Sequence, residues 1–130
     1  SILAFFDEQE AFSKKIPNIQ KILDFKEFID DIIIVTGSYA KGIQTKKSDI
    51  DLVIITKEDA FNKHKLLENL VKLMLPKIHP VVITHKDFLN MLLSKDENYG
   101  KEVYKHKFIF RNANRYYALL KEAIENGFRN

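Results

Sequence analysis

The sequence contains no cysteine among its 130 residues. Disulfide bonds and thiolate metal sites are therefore excluded, and a reducing cytoplasm is compatible with the composition. No apolar run approaches the ~18 to 20 residues of a membrane span, and the short apolar stretch at residues 2–6 soon meets acidic residues, unlike a signal peptide. We therefore expect a cytoplasmic protein with no membrane contact.

Repeats, low-complexity tracts and linker-like segments are also missing. The 45% hydrophobic and 30% charged residues are typical of one globular domain, and this length leaves no room for a second. We predict a single domain over residues 1–130, with N-terminal helices in residues 1–30. Because the first residues are unusually apolar for a free terminus, we also consider that they link to an upstream domain. The net charge of +3 favours polyanions only weakly.

Hydrophobic patterning predicts short strands alternating with helices. An unbroken β-branched run indicates a buried strand at 32–35, the mainly apolar residues 50–55 indicate another, and a third strand is expected at 80–84. The other predicted elements are helices on both sides of Pro17, at 38–41, at 61–75, from residue 86, and from Asn112 or Asn114 to Gly127, with a polar loop at 95–100 and an edge strand at 108–110. This order predicts an α/β (α+β) fold, a small mixed β-sheet flanked by helices.

Two aspartates lie in the second predicted strand, where aspartate is disfavoured. Residues two apart in a strand point to the same face, about 6.5 to 7 Å from each other, so Asp49 and Asp51 should project together. Two carboxylates this close repel each other unless a cation lies between them, and oxygen ligands suit a hard cation such as Mg²⁺ or Mn²⁺. The pair predicts a divalent metal site with both aspartates as ligands.

A glycine-serine turn follows the first strand. Ser38 begins a short predicted helix whose free N–H groups would face a ligand beyond the strand end, and the serine hydroxyl adds a donor. Without a side chain, Gly37 would let a phosphate approach the backbone closely. The turn is not a P-loop, because Ile43 stands where the lysine must be, and the sequence contains no GxGxxG. These features favour nucleotide phosphates bound beside the metal.

The segments GSYAKG and SDIDL resemble the signature of the DNA polymerase beta-like nucleotidyltransferases, most closely that of the small prokaryotic minimal nucleotidyltransferases. Gly37, Ser38, Asp49 and Asp51 match that signature residue by residue. The C-terminal NANRYYALLKEAIENGF is similar to the terminal helix of these proteins. The resemblance implies the nucleotidyltransferase fold, with NTP and Mg²⁺ or Mn²⁺ as substrate and cofactor. It also implies transfer of a nucleoside monophosphate, most simply AMP from ATP, to a hydroxyl with release of pyrophosphate.

The same resemblance assigns further residues and partners. Gly37, Ser38, Lys41 and Ser48 would bind the nucleotide, and Asp49 and Asp51 would hold the metal and be catalytic. Some family members are antitoxins that adenylylate a HEPN-type toxin, which makes a protein partner of that kind the expected acceptor. The apolar first residues, and not the resemblance, suggest an upstream DNA-binding domain as the alternative partner.

The family pattern includes a third carboxylate on a later strand, which helps to hold the metal and can deprotonate the attacking hydroxyl. The corresponding segment here, IHPVVITHKD, has no acidic residue before Asp87. His79, His85 and a movement of Asp87 remain open as substitutes. The alternative interpretation is a catalytically degenerate module that binds nucleotide, a toxin or a DNA-binding domain without turnover.

Overall fold

The structure, a computed structural model, describes residues 1–129 and is built on one four-stranded sheet. The strands are β1 (Ile32–Thr36), β2 (Ile50–Thr56), β3 (Ile78–Thr84) and β4 (Phe108–Arg111). Their order is β3-β2-β1-β4, in which β2 and β3 run parallel while β1 runs antiparallel to both of its neighbours. The predicted small mixed sheet is confirmed, and so is the edge position of the last strand.

Helices cover both faces of this sheet. They are α1 (Ile2–Ser13), α2 (Ile19–Leu23), α3 (Ser38–Lys41), α4 (Ala60–Val71), α5 (His85–Leu93), α6 (Tyr99–Lys105) and α7 (Ala113–Glu125), with a short 3-10 helix at Lys26–Phe28. Within residues 1–129, none of these helices has the length and apolar character needed to cross a bilayer.

The central strands are buried on both faces over most of their length, which explains their largely apolar sequences. Ile33 and Val35 of β1 contribute to a core shared with α2 and α4. Ile32 and Ile34 alternate with them and face a second core formed with α5, α6 and α7. Because helices cover both faces of the sheet, polar side chains can gather where its strands begin or end.

Helix α6 differs from the sequence prediction, which placed a polar loop at 95–100. The helix begins at Tyr99, and the Asn98 side chain caps it by accepting a hydrogen bond from the Lys101 N–H at 3.1 Å. Gly100 sits in the first turn because it packs against α5, where an added Cβ would lie 2.6 Å from the Cβ of Met91. Residues 95–98 lie outside the helices as predicted, but α6 itself was missed, because this glycine serves close helix packing instead of ending a helix.

Two other boundaries also shift. Helix α4 ends at Val71 and not at residue 75, and Leu75 precedes a proline, which disfavours helical backbone at that position. Strand β3 begins at Ile78, two residues before the predicted start. Pro80 lies inside it because β3 is an edge strand, where a residue without an N–H is tolerated. His79 is therefore part of the strand.

The fold also contains a partly buried ion pair that can be tested. Asp31, which precedes β1, is only 3% exposed, and its carboxylate lies 2.9 Å from Nζ of Lys63. We expect Lys63→Met to lower the free energy of unfolding by about 2 to 3 kcal/mol, because it leaves a buried carboxylate unpaired. The control is Lys72→Met, an exposed residue that follows α4, with an expected change below about 0.5 kcal/mol. Urea unfolding followed by circular dichroism measures both, and equal losses would contradict the prediction.

Candidate active site

Three strands bring the candidate residues to one end of the sheet. Asp51 is the second residue of β2, where it pairs with Thr36 at the end of β1 and with His79 near the start of β3. Asp49 lies immediately before β2 and is exposed. The predicted pair of aspartates is thus placed where β1 ends and where β2 and β3 begin.

Gly37 follows β1 and lies directly against Asp51. A Cβ added to Gly37 would be 1.9 Å from Oδ2 of Asp51, and the glycine has a φ of +71°. Both features exclude a larger residue, because a side chain would collide with the carboxylate and the backbone conformation disfavours L-residues. The sequence suggested that this glycine leaves space for a phosphate. In the structure, it also leaves space for the carboxylate of Asp51.

The electrostatic surroundings of Asp51 favour a bound cation. Burial raises the pKa of Asp51, and the nearby charge of Asp49 raises it further, while His79 and Lys41 lower it. Nδ1 of His79 lies 3.5 Å from Oδ1 of Asp51. A partly buried carboxylate beside a second one is relieved by a positive charge. Side chains of the protein supply part of that charge, and a divalent cation would supply more.

The predicted nucleotide-binding residues lie around this pair. Ser38 is the first residue of α3 and follows Gly37 directly. Lys41 ends the same helix, and its Nζ lies 2.8 Å from Oε1 of Glu102. The hydroxyl of Ser48 accepts a hydrogen bond from the Thr45 N–H at 2.8 Å, so it stabilises the turn that leads into β2.

The structure separates the candidate substitutes for the missing carboxylate. His79 lies beside Asp51, whereas His85 follows the far end of β3, about 20 Å away for six extended residues. Asp87 lies in the first turn of α5, at that same far end. His85 instead lines a separate cavity of about 800 Å³, together with Thr56 and Arg115. Only His79 is brought to the aspartate pair.

Two residues of α6 border the site and were missed in the sequence. Tyr99 is half-buried, and its buried hydroxyl has no hydrogen-bond partner within residues 1–129; burial and the charge of Asp51 raise its pKa to about 12. Lys41 holds the pKa of the Glu102 carboxyl below its usual value through a hydrogen bond. The sequence signal for this helix was Asn98, a residue type that often caps helices. The signal was missed because Asn98 lies among residues with a loop-like composition.

The residues present fit a cation that is held jointly with a nucleotide. Among residues 1–129, no three histidine, cysteine, aspartate or glutamate side chains are grouped closely enough to hold a metal by themselves. Mg²⁺ in nucleotide sites is commonly bound by one or two carboxylates together with substrate phosphates. Asp49 and Asp51 match that arrangement, so we expect metal affinity to depend strongly on nucleotide.

Comparison with known families agrees with this geometry. The profile of the nucleotidyltransferase domain family matches residues 9–116, which is most of the chain. The chain therefore belongs to the nucleotidyltransferase domain family. No curated protein and no solved structure matches it. The matched range contains the strands β1, β2 and β3 with the residues of the site.

The contact between Gly37 and Asp51 can be tested with a matched pair of glycines. Gly37 and Gly42 have nearly the same φ, +71° and +73°, but nothing lies within 4 Å of a Cβ added to Gly42. We expect Gly42→Ala to cost about 1 kcal/mol of unfolding free energy from backbone strain alone. We expect Gly37→Ala to cost more and to weaken nucleotide binding at least tenfold, because it displaces the carboxylate. Chemical unfolding and calorimetry with ATP and Mn²⁺ measure both, and indistinguishable alanine variants would show that the contact is unimportant.

Proposed function

We propose that this protein transfers a nucleoside monophosphate, most simply AMP from ATP, to an acceptor hydroxyl and releases pyrophosphate. The observation that carries the proposal is the contact of Asp51 with Gly37, in a chain that belongs to the nucleotidyltransferase domain family. This contact supports the proposal because the carboxylate of Asp51, two residues after Asp49, lies beside the turn from which α3 begins. An anionic phosphate and a divalent cation complement this combination.

Each side chain has a distinct role in the proposed reaction. Asp49 and Asp51 would hold Mg²⁺ or Mn²⁺, which when bound would offset charge on the transferred group and on the leaving pyrophosphate. Gly37 and Ser38 would bind phosphate through backbone N–H groups and the serine hydroxyl. The acceptor oxygen forms a bond to the α-phosphorus, the bond from that phosphorus to the bridging oxygen breaks, and pyrophosphate leaves with the bonding electrons.

The proton of the acceptor hydroxyl needs a base. His79 is adjacent to Asp51 and its side chain is 64% exposed, so it can meet an incoming hydroxyl. A neutral imidazole can accept a proton near pH 7, but it adds no negative charge for a second metal ion. We therefore expect one firmly held metal and slow transfer.

We propose the acceptor and the cellular setting from the resemblance to minimal nucleotidyltransferases. A hydroxyl of a protein partner such as a HEPN-type toxin would make this chain a cytoplasmic antitoxin, and an upstream DNA-binding domain would make it a nucleotide-dependent regulator. A second candidate function is binding of nucleotide or a partner without turnover. The specific observation in its favour is a histidine, not a carboxylate, at the β3 position paired with Asp51.

Transfer of label from ATP separates these two functions, and removal of the aspartate pair tests the proposed metal site. We expect the Asp49→Asn, Asp51→Asn double variant to lose transfer of label from α-labelled ATP by at least about a hundredfold, because it removes both proposed metal ligands. His85→Ala, at the far end of β3, should transfer at the parent rate. If the parent binds ATP with Mn²⁺ but transfers no label to any acceptor, the chain binds without turnover. Full transfer by the double variant would contradict the assignment of both aspartates as metal ligands.

The role of His79 leads to a gain-of-function prediction. We expect His79→Asp to raise the Mn²⁺ affinity of the ATP complex about tenfold, because it restores a third negative ligand beside Asp51. His85→Asp adds the same charge at the other end of the strand and should leave this affinity unchanged. Electron paramagnetic resonance of free Mn²⁺ gives the affinities. Equal affinity in the parent and in His79→Asp would show that residue 79 does not reach the metal.

A further inference from the structure

The cavity of about 800 Å³ lies at the end of the sheet opposite to the aspartate pair. Its lining includes Thr56, the last residue of β2, and His85, which directly follows β3. Every residue that lines it is charged or polar, and neither Asp49 nor Asp51 is among them. The volume is within the range of small-ligand sites, and the lack of an apolar wall favours a small polar ligand over a nucleobase or a lipid.

The path of the chain around the two parallel strands creates this cavity. The C-terminal ends of β2 and β3 lie side by side at Thr56 and Thr84. Helix α4 follows β2 and packs through Leu67 into the core on one face of the sheet. Helix α5 follows β3 and packs through Phe88 into the core on the opposite face. Helices that leave neighbouring parallel strands toward opposite faces open a crevice at the strand ends, and α/β proteins commonly bind ligands in such a crevice.

The cavity offers hydrogen-bond donors to an anionic group. Helix α4 begins at Ala60, and the side chain of Asp59 before it forms no capping bond, so the first N–H groups of the helix are open to another partner. Lys57 and Arg115 line the cavity and are exposed. Neither of them forms an ion pair among residues 1–129. A carboxylate is complementary to this combination of a helix start and two free cationic side chains.

The cavity also offers an acceptor to a cationic group. Asp31 lines it although the residue is almost fully buried. Oδ2 of Asp31 accepts a hydrogen bond from Nζ of Lys63, whereas Oδ1 has no such partner in the described part of the chain. The fully enclosed side-chain oxygens without a partner belong to Tyr99 and Tyr116, so Oδ1 of Asp31 opens to the cavity. A buried carboxylate oxygen without a partner is stabilised by a ligand that donates a hydrogen bond, and an ammonium group does so with a positive charge.

An ammonium group fits this acceptor better than a divalent metal ion. Four carboxylates line the cavity, but no three acidic or histidine side chains of residues 1–129 are close enough together to hold a metal. Burial lowers the pKa of His85, while Asp31 opposes this shift and Arg115 adds to it. The imidazole is therefore neutral near pH 7 and adds no positive charge that would repel an ammonium group. The cavity thus combines separate groups of both signs.

We propose that this cavity binds a free α-amino acid, with its ammonium group on Oδ1 of Asp31 and its carboxylate on Lys57, Arg115 and the first turn of α4. An α-amino acid carries both charges on one carbon atom, which suits a cavity lined by available groups of both signs. The remaining volume accommodates the side chain of the ligand. Because the cavity and the aspartate pair lie at opposite ends of β2, this binding is separate from the proposed nucleotidyl transfer.

Thermal unfolding of the full chain in the presence of each standard amino acid tests the proposal. A ligand with a Kd of about 1 mM, present at about 10 mM, should raise the Tm by about 4 to 5 °C. We expect at least one amino acid to do so. Calorimetry then measures its affinity beside that of its N-acetyl and amide derivatives, each of which lacks one of the two charges. Both derivatives should bind at least about tenfold more weakly, because each loses a charge-assisted hydrogen bond.

A pair of matched variants locates the binding site. We expect Lys57→Gln, Arg115→Gln to bind the amino acid at least about tenfold more weakly than the parent, because it removes both cationic side chains from the carboxylate. The control, Lys72→Gln, Lys121→Gln, removes the same charge from exposed residues that do not line the cavity, and it should bind with the parent affinity. All four substitutions leave the buried Asp31 and its partner in place, so both variants should fold.

Several results would overturn the proposal. If no amino acid changes the Tm, the cavity does not bind this class of ligand. If the N-acetyl derivative binds as tightly as the amino acid, the site recognises an anion alone, and if the amide does, it recognises a cation alone. Equal affinities of the two charge variants would place the ligand elsewhere. The Asp49→Asn, Asp51→Asn variant should keep the parent affinity for the amino acid, and its loss would place that ligand in the active site. Failure here therefore differs from failure of label transfer.

Discussion

The close approach of the Asp51 carboxylate to the backbone of Gly37 is the constraint on which the site depends. Antiparallel pairing of β1 with β2 places Thr36 opposite Asp51, so the residue after Thr36 must pass beside the carboxylate. A Cβ at that position would lie 1.9 Å from Oδ2. Only glycine satisfies both this contact and the positive φ, and the start of α3 is directed by the same turn.

The site carries an electrostatic cost that the fold relieves only in part. Burial and the neighbouring Asp49 both disfavour the charged form of Asp51, while His79 and Lys41 favour it. In functional sites, charged groups often lie where they lower the stability of the folded protein until a ligand of opposite charge binds. Here a cation that arrives with a nucleotide would provide the missing charge. This accounts for an acidic pair at the start of a strand that is otherwise apolar.

The features predicted from sequence are those with a strong local signal. The two central strands were recognisable from their β-branched runs, and the site from a glycine-serine turn and two aspartates that break the strand pattern. The sheet register was needed to place His79 beside Asp51. The sequence alone gave no reason to prefer His79 over His85 as the substitute for the third carboxylate. Its position in the strand was hidden by Pro80, which is tolerated because β3 is an edge strand.

The contribution of α6 could not be predicted because it depends on contacts between distant parts of the chain. Lys41 and Glu102 are far apart in sequence and meet only when α6 packs against α5 through Gly100. The Thr36 hydroxyl donates to the carbonyl of His106 at 2.5 Å, which joins the end of β1 to the end of α6. No local pattern encodes such pairings, whereas a cap or a strand alternation is contained in a few consecutive residues.

The central claim is that Asp49 and Asp51 hold a cation together with the phosphates of a nucleotide bound at Gly37 and Ser38. A crystal structure with a non-hydrolysable ATP analogue and Mn²⁺ tests it most directly, because anomalous scattering locates the metal independently of the nucleotide. The account predicts an Mn²⁺ peak bound by both carboxylates and by phosphate oxygens, with His79 as the nearest further side chain. A nucleotide bound elsewhere, or Mn²⁺ absent from the aspartate pair while nucleotide is present, would contradict it.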